Sequence, residues 1–384
     1  MTARPRKRSP IRGPVMVYGA TGFSGRAIAA RLCETGHEVM LAGRNGPRVQ
    51  ALAQSLGAPF RVFSLADRSA MDGALSEVGV LLNAAGPFTD TAAPMIEACL
   101  RTGTHYLDLT GEWPVFALAQ AREAEAQAAG VMLMPGVGFA VAISDCLIAR
   151  AVREAPGTVL LRVAIGLPGV VSRGTLRSAL RVFGGTVIVR RAGAVRSERA
   201  GARRSFNFGA GERMSIAVSW PDVITGYTTT GVPDIEAYME APFSLQLAAR
   251  AAGVAGDVLG DQALRAAVAP LEAAWPDQPS PEAQSLASNA IVVEAVDRWR
   301  RATRFGLRTL DGYSVTNATA PAVVARVLAG EHPPGFQTPA GAYGAGLIDG
   351  LGCAEPFDAR AGWRQARPLA GRSNSITLRS PPMA

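Results

Sequence analysis

Lysine is all but missing from this chain. Of 384 residues, 39 are Lys or Arg, and Lys7 is the single lysine. Lys7 lies in an N-terminal stretch that reads as frayed, so lysine chemistry in the folded body is excluded. That removes a Schiff base and any tyrosine–lysine pair of the short-chain dehydrogenase type. Histidine is nearly as scarce: His37, His105 and His332 form no metal motif. The four cysteines, Cys33, Cys99, Cys146 and Cys353, are far apart and lack metal-ligand spacing. Without a secretory context they read as reduced, mostly buried thiols of a cytoplasmic protein. No run reaches the ~18 apolar residues that a membrane span needs.

The net charge of +8 is placed unevenly. Arg4, Arg6, Lys7, Arg8 and Arg12 stand in residues 1–13 with no acid among them. The remainder is close to balanced, so nucleic acid is not an expected partner. Residues 1–13 lack the apolar core of a secretory signal and read as a disordered, solubilising basic tail.

Residues 14–134 alternate short apolar runs with helical periods. The strand candidates are Val15–Tyr18, Glu38–Ala42, Phe60–Ser64, Gly79–Asn83, Thr104–Asp108 and Val131–Met134. Helices are expected near 24–34, 47–56, 69–76, 91–101 and 114–128. Gly36, Gly57, Gly103 and Gly130 stand where left-handed caps belong, and Pro47 and Pro114 where first turns begin. The pattern predicts an α/β fold: a Rossmann-type doubly wound parallel sheet over 14–150.

After residue 150 longer strands appear, at Thr158–Leu167, Thr186–Arg191, Met214–Trp220 and Ile235–Glu240, with a hairpin over 289–309. Asp311-Gly312 reads as a turn and 319–329 as a helix. Residues 151–334 are therefore expected to form a second, mixed α/β domain that binds substrate. Within it, 243–275 is an alanine-rich helical segment with Leu264, Val268, Leu271 and Trp275 on one stripe. The stripe suits core packing or, alternatively, a peripheral lipid or partner contact. Residues 356–384 read as a loose C-terminal tail.

The stretch VMVYGATGFSGRAIAARL, Val15 to Leu32, carries the first chemistry. Gly19, Gly22 and Gly25 follow a strand and open a helix. One glycine permits the turn, one lets backbone approach a pyrophosphate, and one brings helix and sheet together. The helix head offers free N–H groups and the positive end of its dipole. Dinucleotide binding is expected. The second strand ends in Gly43-Arg44 where an NAD site usually has an acid. A guanidinium there suits the 2′-phosphate of NADP(H), and Arg48 can assist or stay solvated. The fourth strand ends in Asn83-Ala84-Ala85-Gly86-Pro87, small residues over which a cofactor can pass.

Several residues invite a catalytic role. Glu112 falls at the carboxyl edge of the fifth strand and can serve as general acid or base, or simply start the helix at Trp113-Pro114. Asp108 orients a neighbour or caps a loop. His105 reads as a core histidine. Ser144, Asp145, Ser172 and Thr175 each suit an N-cap or a site. Tyr227 is a candidate proton donor to a developing enolate on residue type alone.

Together VYGATGFSG, LAGRN, LLNAAGPF, GTHYLDLTGE (Gly103–Glu112) and MPGVGF…SDCL (Met134–Leu147) resemble the saccharopine dehydrogenase-like NADP-dependent oxidoreductases. So do SRGT, SWPDV, TTGVPDIEAYM and PPGFQTPAGAYG further on. The nearest branch is that of bacterial proteins described as trans-acting enoyl reductases. The resemblance implies NADP contacts at Gly19, Thr21, Gly22, Phe23, Gly25, Arg44, Asn83, Ala84, Ala85, Gly86 and Pro87. It also implies that 335–355 packs back on the first domain. One departure is Ala140, where an aspartate is expected after PGVGF. Another is the missing lysine, which separates this chain from saccharopine-type amine chemistry. The implied activity is reduction of an enoyl thioester of a lipid or polyketide, small or carrier-bound. The alternative is a non-catalytic NADP-binding regulator. No metal is expected, and a homodimer stays open.

Overall fold

The computed structural model describes residues 9–11, 13–139, 141–166, 186–241, 280, 282, 284 and 287–359. The expectations for residues 1–8 and Arg12, for Ala140, Ser172, Thr175 and 243–275, and for the tail from 360 on lie outside the described residues.

The first sheet has seven parallel strands. In chain order they are β1 (Val15–Tyr18), β2 (Val39–Gly43), β3 (Phe60–Val62), β4 (Val80–Asn83), β5 (His105–Asp108), β6 (Met132–Met134) and β15 (Gly335–Phe336). Their spatial order is β15-β6-β5-β4-β1-β2-β3. The chain winds one way from β1 and the other way from β4, so the switch point lies between those two strands. Every residue of β1, β2, β4, β5 and β6 is buried, the signature of strands covered on both faces. The helices between them are α1 (Phe23–Glu34), α2 (Gly46–Leu56), α3 (Arg68–Leu75), α4 (Phe88–Thr102), α5 (Trp113–Ala121) and α6 (Glu123–Ala129). The four cap glycines all have left-handed φ. The helix expected over 114–128 is two, broken at Arg122.

Helix α7 (Val141–Glu154) links this sheet to the second. It begins three residues before Ser144, so Ser144 and Asp145 are not N-caps; both are buried inside it. The second sheet holds β7 (Thr158–Ile165), β8 (Thr186–Arg191), β9 (Ala194–Arg199), β10 (Arg203–Asn207), β11 (Glu212–Ala217), β12 (Asp234–Glu240), β13 (Ser288–Asp297), β14 (Ala302–Leu310) and β16 (Ala354–Phe357). Its main path runs β10-β11-β12-β7-β13-β14-β16, with β8 and β9 branching from β12. Among the described residues, only β12 and β7 pair in parallel in this sheet; the rest are antiparallel. The β13–β14 hairpin turns on Asp297, whose carboxylate accepts from Trp299 N and Arg301 N, both at 2.9 Å. Strands β9, β10, β15 and β16 were not among those expected. β9 is polar and mostly exposed, and β10 opens on two arginines, so both carry weak alternation.

Three more helices occur among the described residues: α8 (Asp222–Thr230), α9 (Gly312–Leu328) and α10 (Pro339–Tyr343). Asp311 is the N-cap of α9, accepting from Tyr313 N and Ser314 N, rather than a free turn. The helix therefore starts seven residues before its expected head. Pro321, which mimics a first-turn proline, sits inside it. Strand β15 adds to β6, and Glu123 takes the Phe336 amide, so this returning segment completes the first sheet. Strand β16 runs to Phe357, two residues into the stretch expected to be loose. Ile11 is also tied down, donating to Leu328 O at 3.0 Å. One apolar core runs from β1 through α7 to β13 and joins the sheets. Among the described residues no helix is long and apolar enough to cross a membrane, and no cluster of His, Cys, Asp or Glu could hold a metal.

Candidate functional site

The turn between β1 and α1 lies at the switch point. Gly19 has φ +80°, and a Cβ there would stand 2.8 Å from Ala85 N. The glycine turn and the loop after β4 thus touch backbone to backbone. A Cβ on Gly25 would press into the Gly19 carbonyl, which is why helix and turn close up so tightly. Gly22 is the N-cap of α1, extended at φ −74° and ψ 166°, and no side chain caps the helix. By contrast Asn45 caps α2, Asp67 caps α3, Asp311 caps α9 and Thr338 caps α10. The head of α1 therefore keeps its N–H groups for an anion, with Thr21 and Gly22 exposed beside it. Arg44 is exposed at the end of β2, and no described carboxylate pairs with it. Arg48 is exposed one turn on, its amide bonded to Asn45 Oδ1 at 3.2 Å.

Asn83, expected to touch cofactor, braces the loop from within. Its Nδ2 donates to Thr91 Oγ1 at 3.0 Å and to Tyr106 Oη at 3.4 Å, and its Oδ1 accepts from Ala85 N at 3.0 Å. Thr91 Oγ1 in turn donates to Ala85 O at 2.8 Å. This leaves the Ala84–Pro87 stretch, with its cis Gly86–Pro87 peptide, at the strand edge. Below it Asp108 is fully buried. It accepts from Tyr106 Oη at 2.8 Å, Thr110 N at 2.9 Å and Gly136 N at 2.8 Å. Burial pushes its carboxyl up to about 7 against the pull of those donors. Asp108 holds the loops after β5 and β6 in register, the orienting role expected of it. Asp108→Ala strands three buried donors. We expect a loss on the order of 3 kcal/mol in urea unfolding, and an unchanged midpoint would refute this role.

His105 is a core histidine. Its Nδ1 accepts from Met132 N at 2.9 Å, and its ring faces that of His332 at 4.3 Å.

Glu112 stands at the N-cap position of α5, as one sequence reading had it, but its carboxylate is used elsewhere. It is 6% exposed, and its carboxylate reaches across to the head of α4, accepting from Phe88 N at 3.1 Å and Thr89 N at 2.9 Å. It gives no cap to its own helix α5. A carboxylate at another helix's N-terminus is a favourable tertiary cap, and it fixes the β4 loop from the far side. Tyr227 is 36% exposed in α8, with the Arg190 guanidinium 4.0 Å over its ring. It stands beside Gly193 of the β8–β9 turn rather than beside the glycine loop.

The residue that does stand there is Tyr313, at the head of α9. Its ring meets Phe23 edge-on at 4.9 Å. A cleft of about 100 Å³ opens between α1 and α9, lined by Phe23, Ser24, Ala27, Tyr313, Ser314 and Asn317. The buried Asn317 Oδ1 finds no hydrogen-bond donor among the described residues. Behind it, Phe139 N donates to Thr316 Oγ1 at 2.9 Å, and a Cβ on Gly312 would stand 2.9 Å from the Phe139 ring. The loop after β6 is thereby packed on α9 behind the cleft, whose aromatic walls are Phe23 and Tyr313. The available signal was Asp311 as an N-cap, which places Tyr313 on the first turn.

Parts of the chain are similar to known proteins. Residues 15–134 match the family described as the saccharopine dehydrogenase NADP binding domain. Trans-acting enoyl reductases of Mycobacterium leprae and Mycobacterium tuberculosis are each 37% identical over 105 residues. That stretch is 26% of this chain, and it spans about a quarter (25%) of the length of these relatives. A solved apo saccharopine dehydrogenase (L-Glu forming) from Saccharomyces cerevisiae superposes with a TM-score of 0.54. It covers 90% of this chain and 100% of that one at 14% identity, so the likeness is one of fold.

Proposed function

We propose, on the premise that residues 15–134 are an NADP-binding domain of the saccharopine dehydrogenase kind, that this chain is an NADP(H)-dependent reductase of an enoyl thioester. The observation that carries the reading is the uncapped head of α1 beside an exposed Arg44 that no described acid neutralises. That combination suits a pyrophosphate and a 2′-phosphate. The substrate class is taken from the mycobacterial enoyl reductases, whose likeness covers 105 residues of this chain.

When bound, the dihydronicotinamide supplies a hydride to the β-carbon of the enoyl group. The chain's own residues do the rest. The α1 amides hold the pyrophosphate, with Thr21 and Phe23 at the turn. Arg44 pairs the 2′-phosphate. Ala84, Ala85, Gly86 and Pro87 present no long side chain, so a flat ring can lie over them. Phe23 and Tyr313 exclude water from the cleft. Glu112 is committed to α4 and Tyr227 to Arg190, so in this reading Tyr313 takes the role of proton donor to the α-carbon. Its ring packs on Phe23 beside the glycine turn.

Titration with NADPH and NADH, followed by enoyl thioesters on coenzyme A and on an acyl carrier while reduced-cofactor absorbance is followed, tests the reading. Tight NADPH binding with substrate-dependent oxidation is expected. Tight binding without turnover on either carrier would overturn the reductase in favour of an NADP-binding regulator.

A further inference from the structure

Helices α7, α8 and α10 meet at a buried polar centre that the proposed reaction does not use. Asp145 on α7 is 0% exposed and fully engaged. Its Oδ1 accepts from Thr229 Oγ1 at 2.6 Å and its Oδ2 from Ala340 N at 2.7 Å. Thr338 Oγ1 lies 2.6 Å from the same threonine hydroxyl. Asp222, the first residue of α8, is also 0% exposed, yet among the described residues no group makes a well-formed hydrogen bond to either of its oxygens. The Ser144 hydroxyl lies beside it and also donates to Val141 O at 3.2 Å. Thr225 Oγ1 and Trp220 Nε1, on either side of Asp222 in the chain, are buried and equally without a described partner.

A bare carboxylate in such a place, next to a second carboxylate, is costly, and the group keeps a proton instead. Burial pushes Asp222 up to about 7; the Ser144 hydroxyl beside it pulls the other way, and the neighbouring Asp145 charge adds to the rise. The titratable groups around it are few. Asp145 faces it from α7. Arg190 on β8 is spent on Val223 O, Gly193 O and the Tyr227 ring. Glu112, at the head of α5, is spent on α4. From β12 the packed residue is Ile235, and α10 brings Thr338 and backbone amides.

The position of Asp222 gives its protonation a target. Trp220, two residues earlier, lays its ring 3.5 Å from where a Cβ on Gly111 would be. Gly111 sits between Thr110 and Glu112, and Glu112 holds the head of α4 just beyond the Asn83–Pro87 loop. We infer that Asp222 is a positioning residue that works in its neutral form. It seats the Trp220–Pro221 turn against the Thr110–Glu112 loop, and so sets the cofactor loop for NADPH. Ionisation places two negative charges side by side under α8, lifts that turn and weakens NADPH binding. The inference rests on the NADP reading above.

The test compares the full-length chain with Asp222→Asn and Asp222→Ala, in two measurements. NADPH affinity is measured by fluorescence from pH 6 to 8.5. Wild type should weaken about ten-fold more than Asp222→Asn across that range. Asp222→Asn mimics the neutral acid and should keep its affinity, whereas Asp222→Ala should bind poorly throughout. Titration of the NADPH phosphate is common to all three proteins and cancels.

The second measurement is cofactor-free melting. The folded state holds a proton on Asp222 that the unfolded chain, with a pKa near ~3.9, releases. Wild-type stability relative to Asp222→Asn should therefore fall from about pH 4 to about pH 7 and then level off. Identical pH profiles of wild type and Asp222→Asn overturn the inference. So does a loss of NADPH binding in Asp222→Asn with unchanged melting, because the carboxylate would then be the working form. If wild type binds no NADPH even at pH 6, the cofactor reading and the positioning role fail together. The melting difference tells that case apart from an ionisation state wrongly assigned to Asp222.

Discussion

Gly22→Val abolishes NADPH binding and leaves the fold standing, whereas Gly25→Val loses both. The two glycines belong to one motif and look alike in sequence. Gly22 has the extended backbone that valine prefers, and a Cβ there meets only Gly19 O, at 3.2 Å. The added methyls would stand at the head of α1, where the pyrophosphate must come closest. We expect at least about a 100-fold loss of affinity, near 2.7 kcal/mol, with melting within about 3 °C of wild type. A Cβ on Gly25 collides with the Gly19 carbonyl and Ala20 Cα, which are backbone and cannot step aside. There the cost is about 3 kcal/mol or more, seen as a large drop in melting temperature. Normal NADPH affinity in Gly22→Val would show that the pyrophosphate lies elsewhere.

Arg44→Ala removes the preference for NADPH over NADH. The wild-type chain should favour NADPH at least about ten-fold, or ~1.4 kcal/mol, because an exposed guanidinium with no described acid beside it can pair the 2′-phosphate. In the variant the two affinities should agree within about three-fold, with NADH affinity itself unchanged. The contact is exposed and so salt-dependent, and the ratio should also shrink in wild type as ionic strength rises. Calorimetry decides it. An unchanged ratio in Arg44→Ala would pass the role to Arg48, which is exposed on the first turn of α2.

These two outcomes concern residues legible without a structure. The glycine spacing, the strand before it, the helix after it and the Gly43-Arg44 ending are local features. Local backbone chemistry decides them, and the parallel sheet formed as expected. The cap glycines are of the same kind, since a left-handed residue after a helix is settled by its own φ. One failure was a conflict between two local signals. Asp311 and Pro321 carry local signals that conflict, and the cap won because its carboxylate bonds two amides while the proline is tolerated inside the helix.

Composition and spacing alone determined that this chain has a single lysine, forms a doubly wound sheet and presents a phosphate-binding turn suited to NADP(H). Those follow from residue type and from periods of two and 3.6, which need no knowledge of distant contacts. Only the tertiary structure decided what the acids do. Glu112 caps a helix that begins 24 residues before it, Asp108 gathers donors from two loops, and Asp222 is sealed beside Asp145 from another helix. A carboxylate's role depends on which donors reach it and how much water it keeps. Both are set by the packing of elements far apart in the chain, and neither is written in its immediate neighbours.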